Sequence, residues 1–292
     1  MEFAKLHALG NDFLILKVDE AGSAGVSLSA LARRVCARHH SIGADGVVYY
    51  QPTIGDTGAA FSALIFNADG SKAEMSGNGI RCLAAYLAHS GQAVSDAIQI
   101  RTVAGIRTCR LQERCRWTYK FEVSMGTPIL EPAQVPARLG LGSEPIVDFP
   151  LEVGGETVRV TVVSMGNPHC STFWPDLETA PVDTMGPLIE NHKVFPRRTN
   201  VEFVQTLGRD RIRVRFWERG VGRTLASGTG SCAAVVASRL RGVVDDSVAV
   251  ETEGGELSVF YRPSAEVLLT GYAEFIGQGA LPVDLPPPEG SQ

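Results

Sequence analysis

The sequence predicts an α+β protein built from two similar lobes, and three observations carry that expectation. Short runs rich in β-branched and aromatic residues recur along the 292-residue chain, broken by only a few helical stretches. That is not the regular alternation of a parallel βαβ fold. A loop-and-helix motif occurs twice, 151 positions apart, which is about half the chain. At 44% hydrophobic residues, a sizeable core is available. Two lobes of about 120 to 150 residues, with a cleft between them, are therefore expected.

The elements read as follows. Strands are expected at Ala4 to Lys17, Gly46 to Tyr50, Ser62 to Asn67, Ile98 to Thr102, Thr108 to Leu111 and Tyr119 to Ser124. In the second half they are expected at Glu156 to Ser164, Thr199 to Gln205, Arg211 to Glu218, Val248 to Thr252, Glu256 to Tyr261 and Glu266 to Thr270. Helices are expected over Leu28 to His39, Gly79 to Ser90, Asp183 to His192 and Gly230 to Leu240. The first lobe takes residues 1–117, completed by about 274–284, and the second takes 118–273. The stretch 285–292, rich in Pro and Gly, reads as a loose tail.

Bulk properties exclude several functions. With 20% charged residues the chain is not of disordered composition. A net charge of −5 and the absence of any basic tract argue against nucleic acid and acidic membranes as partners. Lys5, His7, Asn11 and Asp12 interrupt every apolar run near the start, so neither a signal peptide nor a membrane span is read there. The six cysteines are scattered without a C-x-x-C pair and read as reduced cytosolic thiols. A cytoplasmic location follows.

The duplicated motif carries the chemistry. Ser76-Gly77-Asn78-Gly79 precedes Ile80-Arg81-Cys82-Leu83-Ala84-Ala85, and Ser227-Gly228-Thr229-Gly230 precedes Ser231-Cys232-Ala233-Ala234. In each copy a strand ends nine residues before the serine, at Asn67 and at Glu218. A weaker echo links Leu9-Gly10-Asn11-Asp12 to Met165-Gly166-Asn167-Pro168. Glycines permit tight turns and close backbone approach. The helix that follows offers free N–H groups and a positive dipole end, a seat for a carboxylate. A single copy is explained by serine as a plain N-cap. Two copies in matched contexts fit an amino acid whose α-carbon meets one side chain on each face. One group would remove the α-proton while the other returns a proton from the opposite side. Cys82 and Cys232, inside Ala-rich helices, read as packing residues. The Arg33-Arg34 and Arg197-Arg198 pairs read as solvated faces.

Several segments resemble the diaminopimelate epimerase family. They are His7-Ala8-Leu9-Gly10-Asn11-Asp12-Phe13, Ile42-Gly43-Ala44-Asp45-Gly46, Phe66-Asn67-Ala68-Asp69-Gly70-Ser71 and Glu74 through Cys82. Ser164-Met165-Gly166-Asn167-Pro168-His169-Cys170, Arg198 through Phe203, Glu218-Arg219-Gly220 and Thr224 through Gly230 complete the set. The resemblance covers almost the whole chain. It implies two pseudo-symmetric lobes, each a barrel-like sheet wrapped around a central helix, with the active site in the inter-lobe cleft. It implies cofactor-independent conversion of LL- to meso-diaminopimelate in lysine and peptidoglycan synthesis, with no metal. Diaminopimelate is the expected small-molecule partner. The oligomeric state stays open, with a homodimer among the options.

Carried over residue by residue, Ser76 and Ser227 stand at the catalytic positions, with His169 and Glu218 tuning them. Asn11, Asn67, Asn167 and Asn200 bind the polar ends of the substrate, since an asparagine both donates and accepts. Glu218 and Arg219 add contacts. The N–H groups at Gly77-Asn78 and Gly228-Thr229 hold the carboxylate of the reacting centre.

The departure is at the two serines, where the family has cysteine. A free thiol titrates near 8.5, and with a gap of roughly five units an alkoxide base costs about 7 kcal/mol more. A helix N-terminus returns only about 0.3–2 kcal/mol. Three readings stay open: a natural variant working through activated serines, an engineered double cysteine-to-serine form made to trap bound substrate and so impaired in catalysis, and a natural paralogue with another substrate or only an amino-acid-binding role. A proline-racemase-like or phenazine-pathway-like isomerase is a further alternative. A Ser/Ser pair is expected to be a poor epimerase unless another group, His169 for example, serves as base through the hydroxyl.

Overall fold

The computed structural model describes residues 1–282 apart from 23, 24, 54, 56, 57, 140, 141 and 143, so the expected loose tail at 285–292 lies outside the described residues. The chain forms two compact units. One is Met1–Val123 with the returning segment from Tyr272, and the other is Ser124–Gly271.

The first unit begins with β1 (Glu2–Ala8) and β2 (Asn11–Lys17). The run expected as one strand is therefore a hairpin. Leu9 and Gly10 both take positive φ, the two-residue turn that matches strand twist. α1 (Val18–Gly22) and α2 (Leu28–Cys36) follow. α2 is capped by Ser27 and ends three residues short of the expected His39, where φ is positive. Next come β3 (Gly46–Pro52), β4 (Phe61–Asn67), the short β5 (Lys72–Ala73), α3 (Gly77–His89), β6 (Ala97–Thr102), β7 (Gly105–Cys115) and β8 (Thr118–Gly126).

The second unit holds β9 (Phe149–Val153), β10 (Glu156–Ser164), β11 (Pro168–Phe173), α4 (Val182–Glu190), β12 (Asn200–Gly208) and β13 (Arg211–Glu218). It continues through β14 (Gly222–Thr224), α5 (Gly228–Leu240), β15 (Ser247–Thr252), β16 (Gly255–Phe260) and the start of β17 (Val267–Ala280). Strands β9 and β11 were not foreseen. Pro168–Phe173 is short and buried on both faces, so it shows no alternation to read.

The pairing senses repeat. From β1 to β8 the neighbours β1–β2, β2–β3, β3–β4, β4–β6, β6–β7 and β7–β8 run antiparallel, parallel, antiparallel, parallel, antiparallel, antiparallel. From β10 to β17 the neighbours β10–β11, β11–β12, β12–β13, β13–β15, β15–β16 and β16–β17 follow the same sequence. In the first unit β17 pairs with both β8 and β1, closing an eight-stranded barrel that leaves no long free edge among the described residues.

Each unit wraps its strands around one helix. α3 packs on β1, β2, β3 and β7; α5 packs on β10, β11, β12, β13, β15 and β16. A helix apolar all round belongs in a core. Gly228 through Ser238 of α5 are all buried, as is nearly all of α3 up to Leu87. Among the described residues no helix is long and apolar enough to cross a membrane.

Candidate active site

Both copies of the motif place serine immediately before a buried helix. Ser76 Oγ accepts the Gly79 N–H at 3.1 Å, and Ser227 Oγ accepts the Gly230 N–H at 3.3 Å. The serines are N-caps with extended backbone, so the plain capping geometry is present in both. The first-turn N–H groups of Gly77 and Asn78, and of Gly228 and Thr229, have no acceptor within their own helix. Capping orients each hydroxyl oxygen without using its proton, and the proton's destination separates the copies.

In the second unit that destination is a carboxylate. Ser227 Oγ donates to Glu218 Oε2 at 3.1 Å, and Thr224 Oγ1 donates to Glu218 Oε1 at 2.6 Å. Ser227 itself is 5% exposed. Burial pushes the Glu218 carboxyl above its ordinary range, against the opposing pull of the Thr224 and Ser227 hydroxyls and of nearby His169. A carboxylate so placed is a better proton acceptor than a solvated one.

His169, the group named as an example of a base acting through the hydroxyls, is fully buried on β11 and engaged elsewhere. Its Nδ1–H donates to Glu202 Oε1 at 2.6 Å, and Nε2 stands 2.9 Å from Asn167 Oδ1. Ser171 Oγ donates to the other Glu202 oxygen. Among the described residues the group bonded to the Ser227 hydroxyl proton is Glu218, and His169 bears on it only through the field at Glu218. Asn200 is buried with both ends of its amide in use: Nδ2 donates to Pro168 O at 2.9 Å and Oδ1 accepts the Arg219 N–H at 3.0 Å. The Arg219 guanidinium reaches Arg197 O at 3.2 Å. Ser227–Glu218, Asn200–Arg219 and Asn167–His169 are thus bonded pairs within the second unit, neighbours along the chain at Glu218-Arg219 and at Asn167-Pro168-His169, where Asn200 also bonds Pro168 O.

In the first unit no carboxylate accepts from Ser76 among the described residues, and a relay of side chains runs from the start of α3 to Asp45. Buried Arg81 donates to Asn78 Oδ1 at 2.6 Å, Asn78 Nδ2 donates to Asn11 Oδ1 at 3.2 Å, and Asn11 Nδ2 donates to Asp45 Oδ2 at 3.1 Å. A guanidinium can only donate, so it fixes which way each amide points. Asp45 and Asp12 are bound reciprocally through their backbone N–H groups, and both take Arg38. Asn67 stands apart from this relay, its Nδ2 turned to Ser71 Oγ at 2.9 Å. The thiols inside the two central helices do not take over the place of the serines. Cys82 and Cys232 are fully buried, and burial pushes Cys82 up to about 12.

Reading the sequence did not single out Glu202, Thr224, Asp45 or Arg81 as functional. All four lie inside the quoted family segments, which is where a signal was available.

The sequence signature described as diaminopimelate epimerase matches residues 3–131 and 161–276. A diaminopimelate epimerase of Moorella thermoacetica is 46% identical over 285 residues, covering 97% of this chain and all of that protein. Diaminopimelate epimerase 1 of a Nostoc species is 42% identical, covering 96% of this chain and 99% of that one. Solved structures share the fold at low identity. A hydroxyproline epimerase from Agrobacterium vitis superposes with TM-score 0.69 at 15% identity, covering 96% of this chain and 90% of that one. A phenazine biosynthesis protein from Bacillus anthracis gives 0.63 at 14%, covering 96% and 98%. The chain belongs to the diaminopimelate epimerase family of amino-acid isomerases.

Proposed function

We propose that this chain inverts one α-carbon of diaminopimelate, LL to meso, by proton removal and return that need no cofactor. The observation that carries the reading is the Ser227 hydroxyl, capped at a buried helix N-terminus and donating to Glu218. A lone hydroxyl is too weak a base, but one backed by a carboxylate need not ionise first. As Ser227 Oγ takes the α-proton, its own proton passes to Glu218. The Cα–H bond breaks, a Ser227 O–H bond forms, and the electron pair left on Cα spreads into the substrate carboxylate. The N–H groups of Gly228-Thr229 and Gly77-Asn78 stabilise the charge that develops there. Ser76, only half-buried, returns its hydroxyl proton to Cα on the other face as water supplies a replacement, and Glu218 gives its proton back to solvent.

The remaining roles follow from chemistry. Asn11, Asn67 and Asn167 read the ammonium and carboxylate ends. Asn200, its amide committed to Pro168 and Arg219, holds the Arg219 backbone in place for the ligand. His169 and Glu202 tune Glu218. The product supplies lysine and peptidoglycan synthesis, a cytoplasmic task.

Two measurements test this reading. LL-diaminopimelate incubated with the chain in heavy water should gain deuterium at one α-carbon and yield the meso isomer. Binding without wash-in would leave an amino-acid-binding paralogue. Calorimetry should show binding at millimolar ligand, about −4 kcal/mol or better, and its absence would remove diaminopimelate as the ligand.

A further inference from the structure

Glu190 ends α4 with a side chain only 6% exposed, and the chemistry above gives it no task. A buried carboxylate is costly unless donors surround it, and this one has three. Oε1 accepts the Gly220 N–H at 2.8 Å and Arg198 Nη1 at 3.0 Å, while Oε2 accepts the Trp217 indole N–H at 2.8 Å. Its backbone carbonyl also accepts the Thr199 N–H at 3.3 Å.

The positions of these donors matter. Trp217 and Gly220 flank Glu218 and Arg219, and Thr199 precedes Asn200, whose Oδ1 holds the Arg219 N–H. Glu190 therefore grips the Glu218–Arg219 turn at both ends and its partner strand at the start. A backbone conformation that side chains disfavour sits at one gripped point, Gly220 with φ +76°, whose N–H the carboxylate holds, while Arg198 is held through its guanidinium. Such angles persist where surrounding bonds over-determine them. α4 also lies close on the indole, since a Cβ at Gly186 would meet Trp217 Cγ at 2.7 Å.

We propose that Glu190 is a positioning residue for proton transfer: by holding Trp217 and Gly220 it sets where the Glu218 carboxylate meets Ser227. The inference rests on the reading of Glu218 as the proton acceptor behind Ser227. The carboxylate it places is faced by Thr224, Ser227, His169 and Glu202. A turn displaced by a fraction of an ångström alters that 3.1 Å bond without touching the substrate.

The test uses the full chain with Glu190→Gln and Glu190→Ala. Two readouts separate positioning from mere support: the NMR titration of the Glu218 carboxyl carbon, assigned by its loss in Glu218→Gln, and α-deuterium exchange resolved into kcat and KM. Both variants should shift the Glu218 midpoint and lower kcat about tenfold or more, with KM within about threefold. A folded Glu190→Gln whose Glu218 titration and kcat match the parent overturns the proposal. Should both glutamate variants unfold, Trp217→Phe removes one donor alone. The same shift in smaller degree is then expected, and an unchanged titration is the contrary result. If the parent exchanges no deuterium, the functional reading fails, while the titration still decides the role of Glu190.

Discussion

The two Ser-Gly-x-Gly loops are built alike and wired differently. Both serines cap a buried helix, with oxygen-to-nitrogen distances of 3.1 and 3.3 Å. Nine residues upstream, at the end of the preceding strand, one copy has Asn67 and the other Glu218. The amide turns to Ser71, while the carboxylate takes the protons of Thr224 and Ser227. Among the described residues the Ser76 hydroxyl proton has no carboxylate acceptor, and its loop is ordered instead by the Arg81–Asn78–Asn11 relay. The repeat encodes a capped helix end. What that end can do is decided by a single neighbouring side chain.

Giving both loops the same group, more acidic than an alcohol, should erase the difference, and this is the largest effect expected. Replacing Ser76 and Ser227 together by cysteine should raise epimerisation about a hundredfold or more, because a thiolate is accessible near neutral pH. Chiral analysis of the product beside the parent chain checks it, and a slower cysteine form would show that the hydroxyls are already well activated.

Removing the carboxylate should make the second loop resemble the first. Glu218→Gln should lower α-deuterium exchange about 10²–10⁴-fold, the usual weight of a positioned acid–base group. The same variant has a stability signature. Burial raises the Glu218 pKa, so the folded chain holds that proton more tightly than the unfolded chain. Its contribution to stability is full below the unfolded carboxyl value and is lost as pH rises through the folded one. Denaturant unfolding of Glu218→Gln against the parent should lack that downward slope; parallel curves would contradict the cause assigned.

A smaller effect sharpens the packing side of the comparison. A Cβ at Gly230 would stand 2.9 Å from the Phe216 ring and 3.1 Å from Ser227 Cβ. At Gly79 the nearest atom is Val48 Cγ2 at 3.3 Å. Gly230→Ala should therefore cost about 1–3 kcal/mol and Gly79→Ala less, read from denaturation midpoints. Equal costs would mean that Phe216 moves aside freely.

The repeat and the strand-rich pattern made the α+β class and the two central helices legible, because Ala-rich runs after Ser-Gly-x-Gly have few other folds open to them. The hairpin at Leu9-Gly10 escapes a reading of Ala4 to Lys17 as one strand-like piece, although Gly10-Asn11-Asp12 carries turn residues, and β11 was too short and too buried to show a period. Ser76, Ser227, Glu218 and the asparagines could be proposed as site residues from the quoted motifs. Their wiring could not. Whether His169 or Glu218 serves the Ser227 hydroxyl depends on side-chain directions fixed by the pairing of β11 with β12 and by the β13–β14 turn. Glu202 and Glu190 are acids whose importance lies in burial, and one sequence does not display burial.

The central claim is that the two hydroxyls are unequal, and single removals test it most directly. Ser76→Ala and Ser227→Ala should be compared for deuterium wash-in at the α-carbon, starting from LL- and from meso-diaminopimelate in heavy water. The account predicts that Ser227→Ala abolishes exchange from one isomer. Ser76→Ala should stop inversion while leaving exchange on the Glu218 side. Exchange that survives in Ser227→Ala and vanishes in Ser76→Ala would contradict it, as would equal losses in both.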